Sequence, residues 1–123
     1  AEDVVAARAA AETVQVDDDL LHYTTALAAA TRTDTNVEVG VSTRAAVALV
    51  RGARARAVVR GRDFVVPDDL KALAVPAFAH RLVLSTEAWV RGVTGRQVIA
   101  SCLERVPLPA SLTDDDRVAL RRD

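Results

Sequence analysis

Apolar residues recur every three or four positions along most of the chain, and this spacing predicts helices rather than strands. The clearest stripe is formed by Leu20, Tyr23, Leu27 and Ala30, within a helix predicted over 17–32. Between such stripes the chain is polar, which is typical of short connections between helices.

The longest uninterrupted helical pattern is predicted over 43–60. Ser42 is a natural N-cap, because its hydroxyl can accept from the free backbone N–H groups of the first turn. Gly61 is a natural stop, because glycine adopts the left-handed conformation that closes a helix. We expect the core-facing residues to be Val47, Val50, either Ala53 or the stem of Arg54, Ala57 and Val58, and the outward-facing ones to be Arg51, Arg56 and Arg60.

The same criteria predict a helix over 3–12 and a polar connection over 33–41. A further helix is predicted from Pro67 to about Val83, kinked or split by Pro76. After it come an extended segment over 84–90 and a helix over 95–105 that opens on a capping box at Thr94. Phe64 and Val65 are predicted to be buried plugs in the connection before Pro67. Together these elements predict an all-α fold, an antiparallel bundle of four main helices plus an additional C-terminal helix. The bundle takes residues 1–109, and 110–123 form a tail or a short helix.

Composition restricts the kind of core, the classes of binding partner and the cellular location that we expect. Half of the residues are hydrophobic but only 3% are aromatic, so the predicted core consists of Ala, Val and Leu on closely packed helices. The formal net charge of −1 argues against a general nucleic-acid or membrane binder. No run of 18 apolar residues or signal peptide is evident, and Cys102 is the only cysteine, so we expect a cytoplasmic protein without disulfides. Because the chain begins at Ala1 without a Met, we expect it to be part of a longer protein.

The other candidate groups have ordinary explanations. The acidic runs Asp17–Asp19 and Asp114–Asp116 each open a predicted helix, where carboxylates favour the helix dipole, so we interpret them as caps and not as catalytic pairs. His22, His80 and Cys102 share no metal-ligand spacing, and no metal site is predicted.

Arg44 is the residue that needs an explanation. A helix N-terminus carries about half a positive charge, so a cation in the first turn costs about 0.3–1 kcal/mol. An anion docked at that end would reverse the sign, because free N–H groups and the guanidinium would then bind the same oxygens. Arg96 breaks the same rule in a later helix, so the residues alone leave both a phosphate-facing and an ordinary surface arginine open.

Two features bear on the class of activity. The chain has no Gly-rich loop ending in Gly-Lys-Ser/Thr, and its single lysine, Lys71, lies in a helical context. We therefore expect this chain alone neither to hydrolyse ATP nor to bind it tightly. Six arginines between 44 and 62 make a basic helix without interleaved aromatics, which fits a solvated or subunit-facing surface or, alternatively, contact with DNA.

Several sequence blocks, in order, resemble the C-terminal helical lid of MoxR-type AAA+ ATPases. These are Asp19-Leu20-Leu21-His22-Tyr23, Ala30-Thr31-Arg32, Gly40-Val41-Ser42-Thr43-Arg44-Ala45, Gly61-Arg62-Asp63-Phe64-Val65-Val66-Pro67-Asp68-Asp69-Leu70 and His80-Arg81. The resemblance is dense over 13–84 and extends more loosely to Pro109. Thr43 stands where the family usually has proline, and Val66 where it often has threonine.

The resemblance implies that Arg44 is the sensor arginine of the lid, a catalytic and ATP-binding residue. It implies ATP and Mg in the parent protein, with none bound by this fragment alone. It also implies an N-terminal ATPase module, a hexameric ring of subunits, and a chaperone-like motor that remodels or matures clients with von Willebrand factor A domains, without nucleic acid or membrane insertion. The alternatives are the lid of a magnesium-chelatase-type subunit, or a self-standing helical interaction or DNA-binding module.

Overall fold

A computed structural model of the chain describes residues 9–109. Its elements are, in chain order, helix α1 (Asp18–Thr33), strand β1 (Val37–Val39), helix α2 (Thr43–Val59), helix α3 (Pro67–Phe78), a 3-10 turn (Ala79–Arg81), strand β2 (Val83–Leu84), helix α4 (Thr86–Val90) and helix α5 (Gly95–Arg105). Residues 9–12 are also helical. The rest of the helix predicted over 3–12, the tail over 110–123 and the acidic run Asp114–Asp116 lie outside the described residues.

The ends of α2 follow the predicted chemistry. The Ser42 hydroxyl accepts from the N–H of Ala45 at 3.2 Å, so this residue caps the helix as expected. At the other end Gly61 has a φ of 75°, and its N–H donates to Val58 O, while the N–H of Arg62 donates to Ala57 O. This pair of bonds is a Schellman motif, so the predicted glycine stop is confirmed.

Helix α3 is shorter than predicted. Pro67 occupies its first position as expected, but the helix ends at Phe78 and tightens into a 3-10 turn, rather than running to about Val83. Pro76 lies inside α3 without dividing it. Because proline has no N–H to donate to the preceding turn, it weakens the ladder near this point, and the helix ends two residues later.

Two predicted features are replaced, one by a small antiparallel sheet and the other by a short helix. Strand β1 forms within the segment expected to be a plain polar connection, and pairs with β2. The extended segment predicted over 84–90 is wrong beyond Leu84, because the Ser85 hydroxyl accepts from the N–H of Ala88 and starts helix α4. The alternation of apolar and polar residues there is too short to outweigh an N-cap serine.

The core lies among α1, α2, α3 and α5, each of which packs against two of the others. Its largest fully buried apolar side chains include Leu20, Leu27, Leu49, Leu70, Phe78 and Ile99. The stripe predicted on α1 is confirmed for its first three residues, whereas Ala30 is only half-buried.

The core-facing stripe of α2 was predicted partly wrongly. It consists of Ala45, Leu49, Ala53 and Ala57, while Val47 is 47% exposed. Favouring the larger side chains fails here because α2 packs closely against α3, and alanine permits that close approach. Of the predicted plugs, Val65 is buried but Phe64 only partly so.

The described residues are therefore mostly helical, as the all-α prediction requires, with the two-stranded sheet as the departure from it. The antiparallel arrangement of four main helices remains a prediction. No helix within residues 9–109 has both the length and the apolar character needed to span a bilayer.

Candidate functional site

Arg44 lies in the first turn of α2, and its side chain is exposed. It has no ion-pair partner among residues 9–109, and the first turn of α2 contains no acidic residue. The unfavourable placement of this cation beside the positive end of the helix dipole is therefore uncompensated within the described part of the chain. An anion bound there would be held by both the helix N-terminus and the guanidinium.

The segment leading into α2 is held by the end of α1. The N–H of Val41 donates to Thr31 Oγ1 at 2.9 Å, and the carbonyl of Val41 accepts from Arg32 Nε at 3.0 Å. The Val41 side chain is fully buried. The N–H, the carbonyl and the side chain of Val41 are thus all held in place. Val41 directly precedes the N-cap and lies three positions before Arg44.

Gly40 shows how closely the two segments approach. A Cβ at this position would lie 2.7–2.8 Å from the Cγ, Cα and N atoms of Arg32. Two of these atoms belong to backbone, so the contact cannot be relieved by a side-chain rotation. Glycine is required here for space, and not for an unusual backbone conformation.

The face of α2 that carries Arg44 is unusual for an outward helix face. Residues 44, 47, 48, 51, 55 and 59 project within an arc of about 120° at about 100° per residue, and all six are exposed. They are two arginines and four apolar residues, with no acid among them. Val59, for example, is 86% exposed. We call this set of residues the outer face of α2.

A buried ion cluster fixes the other end of α2. The Asp69 carboxylate is fully buried and accepts from Arg62 through two bonds of 2.7 Å, from Arg56 Nη1 at 2.6 Å and from the N–H of Val66 at 2.9 Å. The expectation that Arg56 lies on the outer face is therefore wrong, since its side chain is only 19% exposed. The carboxylate at the third position of α3 attracts it inward.

Burial acts to raise the pKa of Asp69, but the hydrogen bonds from Arg62, Val66 and Arg56 outweigh it and hold the pKa below its ordinary value. Arg62 also donates to the carbonyl of Phe64 at 3.1 Å and lies 5.9 Å from the ring centroid of that residue. The cluster closes the connection between α2 and α3. It therefore has a structural role, and it takes two of the six arginines that made the basic helix.

The remaining candidate groups do not converge on one place. His22 and His80 are exposed. Cys102 is buried, and burial raises the pKa of its thiol, so it is a core residue. Within residues 9–109 no set of three or more His, Cys, Asp or Glu side chains is arranged to hold a metal ion. Asp17 caps α1 by accepting from the N–H of Asp19, as expected of a helix-opening acid.

The contacts of Thr31 and Asp69 were not predicted from the sequence, although a signal for each was present. Thr31 lies four residues after Leu27 on the buried stripe of α1, and a hydroxyl at a core position must find a partner. Asp69 sits at the third position of a helix whose N-cap, Val66, has no side-chain acceptor. In both cases a polar residue occupies a place that the pattern assigns to the interior or to a cap.

Comparison with known proteins places this arrangement among AAA proteins. The family described as the AAA lid domain matches residues 29–102. The chain is 32% identical over 108 residues to the uncharacterized protein YeaC of Bacillus subtilis, covering 88% of this chain and 34% of that protein. It is 38% identical over 73 residues to chaperone MoxR1 of Mycobacterium tuberculosis, covering 59% of this chain and 19% of that protein.

A solved structure has the same fold. The crystal structure of a protein from Cytophaga hutchinsonii, assigned as an ATPase, matches with a TM-score of 0.79 and 33% identity, covering 81% of this chain and 33% of that chain. The chain thus spans about a third of the length of these two longer proteins, YeaC and the Cytophaga protein.

Proposed function

The chain belongs to the AAA lid domain family, in its MoxR-type form, and from this membership we propose that Arg44 is the sensor arginine through which the lid acts on bound ATP. In this proposal the guanidinium reaches the terminal phosphate of a nucleotide held by the ATPase module of the same protein. There it stabilises the charge that develops as the phosphoryl group is transferred.

The observation that carries the proposal is the isolation of Arg44. Its cation stands at the positive end of α2, exposed, without an ion-pair partner among the described residues. A phosphate at this position would turn an unfavourable electrostatic arrangement into a favourable one, because free N–H groups and a forked guanidinium both bind phosphate oxygens.

The composition of the outer face of α2 supports the proposal that a partner covers this side of the domain. An exposed helix face normally carries charges of both signs, whereas this one carries four apolar residues and two arginines. Arg44 lies at one end of the face, so a partner that covered the face would also lie beside Arg44. In the proposal this partner is the ATPase module, whose bound nucleotide supplies the anion.

For the whole protein, the proposal is a ring-forming ATPase, a hexamer, that uses ATP and Mg to remodel or mature other proteins in the cytoplasm. The mycobacterial relative is named a chaperone, which supports a role of this kind. Clients with von Willebrand factor A domains are part of the proposal. The missing phosphate loop would be supplied by the ATPase module.

The test is ATP hydrolysis by the full-length protein carrying Arg44→Ala. Removal of one group that stabilises transition-state charge typically lowers kcat by about 10²–10³-fold, and we expect a loss of this order. Arg96→Ala is the matched control, because Arg96 is also an exposed arginine in the first turn of a helix, α5, with no acid in that turn and no ion-pair partner among residues 9–109, but lies outside the outer face of α2. We expect it to change kcat by less than about threefold, which by transition-state arithmetic is under about 0.7 kcal/mol.

Stability of the 123-residue chain provides the second measurement. Loss of a cation from the first turn should leave the free energy of unfolding unchanged or slightly higher. Near wild-type hydrolysis by the Arg44→Ala protein would disprove the sensor role. Unfolding of the 123-residue chain by the same substitution would show that Arg44 is structural.

A further inference from the structure

We propose that Thr31 and Arg32, at the end of α1, are positioning residues that hold Arg44 in its working geometry. This inference rests on the proposed function of Arg44. Neither side chain needs to touch nucleotide, since both act on the backbone of Val41, just before the helix that carries the arginine.

The Thr31 hydroxyl joins two backbone groups. It donates to the carbonyl of Ala28 at 2.6 Å, which fixes the direction of its hydrogen, and it accepts from the N–H of Val41 at 2.9 Å. The side chain is fully buried, so no solvent competes for either bond. The hydroxyl therefore ties the segment before α2 to the last turn of α1.

Arg32 completes the attachment by bonding to the other backbone group of the same residue, Val41. Its Nε donates to the carbonyl of Val41 at 3.0 Å, and its backbone and Cγ leave no room for a Cβ at Gly40. With the side chain of Val41 buried as well, three separate contacts hold the segment against α1. The first turn of α2, with Arg44, begins directly after this fixed point.

Such rigidity matters for a residue that stabilises a transition state. A misplacement of about 1 Å of a group that acts on the reacting atoms can cost about 100-fold in rate. A long arginine side chain has its own freedom, so the backbone from which it projects must be well fixed. A looser attachment should lower kcat more than it changes KM for ATP, because most of the binding contacts lie on the ATPase module.

The experiment compares three threonine variants in the full-length protein. Thr31→Val keeps the shape of the side chain and removes the hydroxyl, and Thr31→Ser restores the hydroxyl. Thr24→Val is the matched control, because Thr24 is a buried threonine on the same helix whose hydroxyl donates to Leu20 O within α1. All assays run well below the lowest melting temperature of the set.

We expect Thr31→Val to lower kcat by at least tenfold with KM changed less than threefold, and Thr31→Ser to restore kcat to within about threefold of wild type. Thr24→Val should stay within twofold. Arg32→Met, which retains the stem against Gly40 but loses the Nε donor, should show a smaller loss of the same kind. In the 123-residue chain, amide hydrogen exchange at Val41 should accelerate at least tenfold in Thr31→Val and remain unchanged in Thr24→Val.

The outcomes separate the two proposals. If Arg44→Ala abolishes turnover but Thr31→Val does not change kcat, the positioning role is wrong and the sensor role stands. Equal losses in Thr31→Val and Thr24→Val would also overturn it, since a general loss of stability would then explain both. Unchanged exchange at Val41 would disprove the attachment itself. Full activity of the Arg44→Ala protein would overturn both proposals together.

Discussion

The buried carboxylate of Asp69 gives the sharpest test of what holds this domain together. Its four hydrogen bonds come from Arg62, Arg56 and the N–H of Val66. Asp69→Asn keeps the size of the side chain but removes the charge and replaces one acceptor oxygen with a donor. Arg62, whose side chain is only 5% exposed, would then lose its buried ion pair with Asp69.

Breaking a buried ion pair from one side costs about 3–5 kcal/mol, because the remaining charge cannot be solvated. The total stability of a domain is about 5–15 kcal/mol, so this loss would be a large fraction of it. Asp68→Asn is the control, since Asp68 is the neighbouring residue, is 70% exposed and pairs with Arg56 at 3.4 Å. An exposed pair of this kind contributes at most about 1 kcal/mol.

The assay is urea unfolding of the 123-residue chain at pH 7 and at lower pH. The pKa of Asp69 is lower in the folded chain than in the unfolded one, so the unfolded state takes up a proton first as the pH falls. The stabilisation is fully present above the unfolded pKa of about 3.9 and is lost as the pH falls through the folded pKa. The stability difference between wild type and Asp69→Asn should therefore shrink below about pH 4.

Two results would refute this reasoning. One is an Asp69→Asn chain whose stability at pH 7 lies within about 1 kcal/mol of the wild type, which is the range of an exposed pair. The other is an equal loss in Asp68→Asn, which would mean that charge near the start of α3, and not the buried cluster, accounts for the effect.

Two further predictions concern the core. Tyr23 is 2% exposed, its hydroxyl has no hydrogen-bond partner among the described residues, and burial raises its pKa. Tyr23→Phe should therefore leave the urea midpoint unchanged or raise it, and a fall in the free energy of unfolding of more than about 1 kcal/mol would reveal an overlooked partner. Phe78 is 1% exposed, whereas Phe64 is only partly buried. In thermal unfolding, Phe78→Ala should lower the free energy of unfolding by about 3–5 kcal/mol and Phe64→Ala by clearly less, and equal losses would contradict this ranking.

Local signals predicted both ends of α2 and the start of α5. Ser42 and Gly61 define α2 because capping depends on residues that are neighbours in sequence. Thr94 starts α5 through a capping box for the same reason, with its hydroxyl accepting from the N–H of Gln97. The position of Arg44 in a first turn followed directly from these boundaries.

Features that depend on distant parts of the chain were missed. Strand β1 forms because β2 lies beside it, and nothing in its own three residues distinguishes it from a connection. The inward direction of Arg56 depends on a carboxylate thirteen residues away. Likewise, the role of Thr31 depends on the backbone of Val41. Patterns of apolar residues carry no information about which buried polar group meets which.

The missed contacts of Thr31, Arg32 and Asp69 all hold one helix, α2. The Thr31 and Arg32 bonds hold the segment before α2, and the Asp69 cluster holds Arg56 near its end. Between them the buried stripe of α2 is mostly alanine, whose small and similar side chains favour close packing but specify one register only weakly. Directional polar contacts at both ends supply that specificity. Under the proposed function, a helix fixed in this way holds Arg44 rigidly against the ATPase module. That requirement would account for a buried ion cluster whose net contribution to stability is modest.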